Sequence, residues 1–165
     1  MQNKKVLFIT QAAAIAALYV VLTFISNMFG LANGAIQVRI SEALTILPVF
    51  TTAGIPGVVI GCLLSNILTG CALPDIIFGT FATLLGALGT YYLRNTKFVF
   101  TVPPVLANII IVPQVLRYAY GVTDAIPFLM FTVGVGEVIS VMGLGMLLYV
   151  ALKARKDILF PAKNY

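Results

Sequence analysis

The sequence predicts an all-α polytopic membrane protein: one membrane-embedded domain over residues 1–165, built as a bundle of six transmembrane helices with both termini in the cytoplasm. Three observations predict it. First, hydrophobic residues make up 61% of the chain and charged residues 9%, against roughly 25% charged in an ordinary soluble domain. A single core of this size could not shelter so much apolar surface from water, so lipid must be the solvent for most of it. Second, six apolar segments alternate with turn and breaker residues. Third, Lys4, Lys5, Arg94, Lys97, Lys153, Arg155, Lys156 and Lys163 fall on the side that holds the N-terminus, leaving only Arg39 and Arg117 on the other. That asymmetry is the positive-inside pattern of a cell-membrane protein with an even number of crossings. It also accounts for the net charge of +5: the basic residues form no stripe with interleaved aromatics, which argues against nucleic acid as a partner.

The first helix is expected from about Lys5 to Ser26, long enough for a hydrocarbon core of about 30 Å at about 1.5 Å per residue. The opening MQNKKVLFITQAAAIA imitates a signal peptide, but the apolar run continues to Ile25, so it reads as a retained helix. Asn27 to Val38 forms a loop with Asn27, Gly30, Asn33 and Gly34 as breakers. A second helix covers Ile40 to Ala53 with Pro48 as a kink, and a turn at Gly54, Pro56 and Gly57 leads into a third that ends near Gly70. Both are short for a full crossing. They either thin the local bilayer or form a re-entrant pair, which would preserve the parity of the crossings. A fourth helix starts at Pro74 and Asp75, a favourable N-terminal pairing of proline and acid, and ends at Arg94. A fifth runs from about Phe98 to Tyr118, bent or interrupted by Pro103, Pro104 and Pro113. A sixth runs from Ala125 to about Leu152. Cys62 and Cys71 show no C-x-x-C spacing and read as two small buried residues.

Against this background the stretch QVRISEALTILP, Gln37 to Pro48, stands out. It places Arg39 and Glu42 three residues apart, within pairing distance on one helix face, in a chain with ten basic and five acidic residues. Glu137 stands out further. It lies twelve residues into the sixth helix, about 18 Å deep at 1.5 Å per residue, and no basic residue lies at matching depth. An ionised carboxylate in mid-bilayer costs several kcal/mol unless paired or facing a wet cavity, so it marks function by default. The structural alternative is a fixed ion pair or a protonated, hydrogen-bonded acid between helices. Asn108, inside an apolar run, needs a partner, and Glu137 or a ligand could be it. Asn66, Asp75, Gln114 and Arg117 gather towards the outer ends of their helices, while Tyr118 and Tyr120 read as interfacial anchors. The polar residues thus describe a pocket open to the outside, closed below by apolar packing.

An excess of acids and amides over bases favours a neutral or cationic ligand rich in N–H donors and argues against phosphates or simple carboxylates. A guanine-like edge would suit one carboxylate in bidentate fashion. The glycines at 134, 136, 143 and 145, and the stripes Gly57–Gly61–Ser65 and Gly79–Thr83–Gly86–Thr90, read mainly as helix-packing seams. No P-loop is present, so energy must come from a partner or an ion gradient. With no histidine, no metal cluster and no nucleophile beside a base, no enzyme and no cofactor are expected.

The first helix also carries AAAIAAL, whose pairs Ala12 with Ala16 and Ala13 with Ala17 would let a foreign helix pack closely. Together with six short hydrophobic segments and RISEAL after the first loop, these features resemble the substrate-binding S components of energy-coupling factor (ECF) importers. More narrowly, they resemble the QueT family, assigned to uptake of queuosine precursors. The resemblance covers essentially the whole chain; RISEAL is its more specific part. It implies a small-molecule substrate bound near the outer face. It also implies docking through the first helix on an ECF module of one transmembrane coupling subunit and two ATPase subunits. On that reading Glu137 and Asn108 grip a deazaguanine base, and Arg39 with Glu42 shapes the rim. The alternative is a small proton-coupled secondary transporter acting as a dimer, with Glu137 as proton carrier; a purely structural membrane subunit is a third option.

Overall fold

The computed structural model describes residues 4–31 and 36–160, without the Asp157 side chain. Asn33 and Gly34 of the expected loop, and Lys163 of the basic tail, lie outside the described residues. Among the described residues every regular element is helical. The α-helices are α1 (Lys4–Met28), α2 (Gly54–Leu68), α3 (Leu73–Tyr92), α4 (Val102–Tyr118), α5 (Ile126–Glu137), α6 (Gly145–Lys153) and the short α7 (Lys156–Leu159). A 3-10 helix runs from Ile40 to Val49, and a π-helical stretch, Val138–Leu144, joins α5 to α6.

Among the described residues, four helical runs are long and apolar enough to cross a membrane: Lys4–Met28, Leu73–Tyr92, Val99–Tyr118 and Ile126–Lys153. Their outward faces carry Val21, Phe78, Phe81, Phe131 and Leu147, all exposed, a surface that only lipid or a partner can cover. The bundle packs in sequence order, α1 on α2, α2 on α3, α3 on α4 and α4 on α5. Gln11 donates to the Leu159 carbonyl (3.2 Å) and Phe50 stacks on Phe160. The start of α1, the end of the 3-10 helix and the described end of the chain therefore share one end of the bundle.

The main departure from expectation is the second segment. Ile40 to Ala53 does not form a kinked α-helix; it is a 3-10 helix that stops at Val49. Ile40, Thr45, Ile46 and Val49 are β-branched, and Pro48 removes a donor, so α-helix is intrinsically weak here. A 3-10 helix rises about 2 Å per residue, so ten residues reach about 20 Å where an α-helix would reach about 15 Å. Every residue from Ser41 to Pro48 is buried. The segment contacts α1, α2, α3, α6 and the π stretch, which makes it the central strut of the bundle rather than a lipid-facing helix.

The turn before α2 also falls earlier than expected, at residues 50–53. Gly54, Pro56 and Gly57 belong to the first helical turn, where a missing proline N–H costs nothing. Gly57 and Gly61 form the expected seam: a Cβ on either would clash with Ile15 or Tyr19 of α1, and the Ala12 carbonyl and Ala16 Cα lie 3.1 Å from those positions.

Candidate functional site

One face of α1 holds the strut by a ladder of side-chain hydrogen bonds. The Tyr19 phenol donates to Glu42 Oε1, Thr23 donates to the Ser41 hydroxyl (2.9 Å), and the Ile40 amide donates to Ser26 Oγ (2.9 Å). Spacings of four and three residues put Tyr19, Thr23 and Ser26 on one stripe of α1. The partners Glu42, Ser41 and Ile40 descend in the opposite order. Burial of these polar groups is tolerable because each finds its partner.

Arg39 does not pair with Glu42 on a helix face. Its backbone is extended, φ −104° and ψ 106°, and it precedes the strut rather than belonging to it. The extended segment 37–39 is tied at Val38, whose amide donates to the Leu31 carbonyl (2.9 Å), and is pressed against α5 at Gly136. A Cβ at Gly136 would fall inside the van der Waals shell of the Gln37 carbonyl. Glycine is required there for close backbone approach.

This arrangement builds a chamber of about 20 Å³ lined by Gln37, Arg39, Glu42, Asn108, Val133 and Glu137. The Asn108 side chain faces the Glu137 carboxyl in this lining. Glu42 is 3% exposed, Asn108 5% and Glu137 7%, yet Oε2 of both glutamates and Oγ of nearby Ser140 have no hydrogen-bond partner among the described residues. Buried acceptors without partners are rare in folded proteins and call for an explanation. Arg39 shares the chamber, so a base does reach the level of Glu137. The linear depth count missed it because segment 37–39 dips inward. The Arg39 carbonyl accepts from the Glu42 amide (3.0 Å), but its guanidinium shows no hydrogen bond or ion pair among the described residues, and both carboxyls keep an unused acceptor.

Gln37 and Arg39 also line a larger, more open vestibule of about 530 Å³, with Asn66, Asp75 and Tyr120 among its other walls. Here Tyr120 accepts from the Ala72 amide (3.1 Å) and donates to Asp75 Oδ2 (2.9 Å). Partial burial, with the Asp75 carboxylate adding to it, pushes the Tyr120 phenol up to about 12, so it remains a neutral donor near neutral pH. Segment 37–39 is thus the partition between an open polar vestibule and a closed polar chamber. The chamber has room for about one water, whereas small-molecule pockets occupy roughly 300–1,000 Å³; a ligand reaching Glu137 must displace the partition.

Of the residues singled out in the sequence, Glu137, Asn108, Glu42 and Arg39 meet in the chamber, and Asn66 and Asp75 meet Arg39 in the vestibule. Gln114 and Arg117 stand apart. Gln114 is exposed beside an apolar groove with Phe78 and Tyr118. Arg117 is exposed and donates to the carbonyls of Val122 (3.1 Å) and Asp124 (3.3 Å), fastening the turn between α4 and α5. Tyr118, 79% exposed, fits an anchor, whereas Tyr120 is a vestibule residue. Tyr19 was missed because a tyrosine inside an apolar run carries no sequence signal of its polar partner. Ala12 and Ala16 are buried against α2, while Ala13 and Ala17 face outward along an apolar groove of about 490 Å³ with Phe8 and Ile60.

Among protein families, the model described as QueT transporter matches residues 9–154. Among curated proteins, the chain is similar to the Queuosine precursor transporter QueT of Lactococcus lactis subsp. cremoris (strain MG1363), with 38% identity over 85 residues. That match covers 52% of this chain and spans about half, 50%, of the relative's length. No solved structure matches the chain.

Proposed function

The chain belongs to the QueT transporter family, and from that premise we propose that it is the substrate-binding subunit of an ECF-type, ATP-driven importer of a queuosine precursor. The observation that carries this reading is the chamber. Two nearly fully buried carboxyls, Glu42 and Glu137, keep an unpartnered oxygen beside Asn108, the acceptor-rich lining that a 7-deazaguanine edge with adjacent N–H donors would satisfy. The vestibule gives such a base an entrance, and Arg39 and Gln37 are the residues it must move. In this reading the segments cross the cell membrane six times with both termini in the cytoplasm, the short 3-10 helix and α2 crossing inside the shelter of the longer helices.

Docking on the transmembrane coupling subunit is assigned to the Ala13–Ala17 face. The pair Ala12–Ala16 is already engaged by α2, whereas Ala13 and Ala17 are exposed in an apolar groove, where small side chains let a partner helix approach closely. ATP hydrolysis is then the work of two partner ATPases.

The test is twofold. Purified full-length protein is titrated with 7-deazaguanine-type bases, and uptake is measured in vesicles with and without the ATPase partners. Tight binding by the chain alone, with uptake only when the partners and ATP are present, supports the reading. A second reading, a proton-coupled dimer, draws on the same unpartnered Glu137 oxygen. Uptake by the chain alone under a proton gradient would establish it and overturn the first.

A further inference from the structure

At the end of the bundle remote from the chamber lies a further concavity, of about 510 Å³, between the α3–α4 connection and α6. Its walls include Arg94, Lys97, Lys153, Phe98, Phe100 and Tyr149. Three of the chain's ten basic residues converge on it, and no carboxylate lines it among the described residues. A general excess of positive charge at helix ends explains why bases occur on this side. It does not explain why three of them share one hollow, where like charges repel.

The hollow is built rather than incidental. The Arg94 guanidinium stacks 4.0 Å over the Tyr91 ring and donates to the Tyr91 carbonyl (3.0 Å). The Lys153 ammonium lies 5.6 Å from the Tyr149 ring centroid. The connection is folded by Thr96, whose amide (2.9 Å) and hydroxyl (2.6 Å) both donate to the Leu93 carbonyl. Phe98 stands in the left-handed region with φ 64°, the one positive-φ residue other than glycine among the described residues. That conformation is costly for a side chain of this size and persists only where the surroundings enforce it. It leaves the Phe98 ring 64% exposed at the rim, next to exposed Val99.

Cations at the mouth, aromatic rings as floor, and apolar side chains leading away along the bundle match an anionic amphiphile. Guanidinium and ammonium groups bind phosphate oxygens by charge-assisted hydrogen bonds, and basic pockets between transmembrane helices take anionic headgroups. We propose that this concavity is a phosphate-binding site occupied by the headgroup of an anionic phospholipid, its acyl chain lying along Phe98 and Val99.

The test uses the full chain in detergent and native mass spectrometry. Phosphatidylglycerol and phosphatidylcholine are titrated separately, the former also against inorganic phosphate. Wild type should retain one phosphatidylglycerol at least about tenfold more tightly than phosphatidylcholine. The triple variant Arg94→Gln, Lys97→Gln, Lys153→Gln should lose that preference. A control of equal net charge, Lys4→Gln, Arg155→Gln, Lys156→Gln, removes bases of the same end that do not line the hollow and should keep the preference. Equal losses in the two triple variants, or equal retention of the two lipids by wild type, would overturn the site. Retention of phosphatidylglycerol against millimolar phosphate supports the lipid as occupant; displacement would overturn that assignment in favour of a soluble phosphate. Thermal unfolding of both variants at the wild-type temperature verifies that neither result reflects a lost fold.

Discussion

The phenol of Tyr19 on α1 donates a hydrogen bond to Oε1 of Glu42 on the 3-10 strut, and this single contact ties the helix assigned to docking to the chamber assigned to binding. Tyr19 is 1% exposed, so its hydroxyl has no water to fall back on. In Tyr19→Phe, Glu42 Oε1 loses its partner and joins Oε2 as an unpartnered buried oxygen. Leaving a buried acceptor unsatisfied costs roughly 1–3 kcal/mol. The expected result is a lower unfolding temperature in detergent together with weaker ligand binding. Wild-type values for both would remove the contact from the site.

Glu137→Gln preserves shape while exchanging a carboxyl for an amide. Leaving a buried donor of the ligand unsatisfied costs roughly 1–3 kcal/mol, so affinity for a deazaguanine-type base should fall about 5- to 100-fold by isothermal titration. Unfolding should stay close to wild type. Undiminished affinity would place the ligand elsewhere.

Gly136→Ala should act through the partition. The added methyl would collide with the Gln37 carbonyl, and because that neighbour is backbone the whole segment must shift. Ligand affinity should change by tenfold or more in a titration. Gly143→Ala serves as reference, since the nearest atom to a Cβ there is the Val138 carbonyl oxygen at 3.9 Å; it should bind as wild type does.

The two alanine pairs should separate cleanly. Ala16→Leu forces methyl groups into the seam with Gly61 and should destabilise the fold by about 1–3 kcal/mol. Ala17→Leu points outward, so folding and ligand binding should persist while uptake with the ATPase partners is lost. Sustained uptake in Ala17→Leu would discredit the docking face.

Much of this architecture was legible because hydrocarbon imposes simple rules. The long apolar runs and their breakers located α1, α3, α4 and the Ile126–Lys153 run to within a few residues, and the scarcity of charge singled out Arg39, Glu42 and Glu137. What linear reading missed was local geometry. A 3-10 helix and an α-helix share the same apolar composition, so Ile40 to Val49 looked like a short α-helix until its neighbours buried every face. The π stretch beginning at Val138 has no residue signature either, although such stretches frequently mark functional sites. Counting along the sixth segment put Glu137 well inside the Ile126–Lys153 run, but it could not foresee that the segment before the strut would bring Arg39 to meet it. For Gln114 and Arg117, outer-end position was the only guide, and helix rotation turned both away from the chamber.

The enclosed 3-10 strut also has a bearing on how the protein is made. Ten residues long and buried from Ser41 to Pro48, this segment is too short to cross about 30 Å of hydrocarbon unaided. It becomes embedded only as α1, α2, α3 and α6 gather round it. On the proposed reading the chamber exists only once those helices have gathered, so a half-inserted chain would not bind ligand.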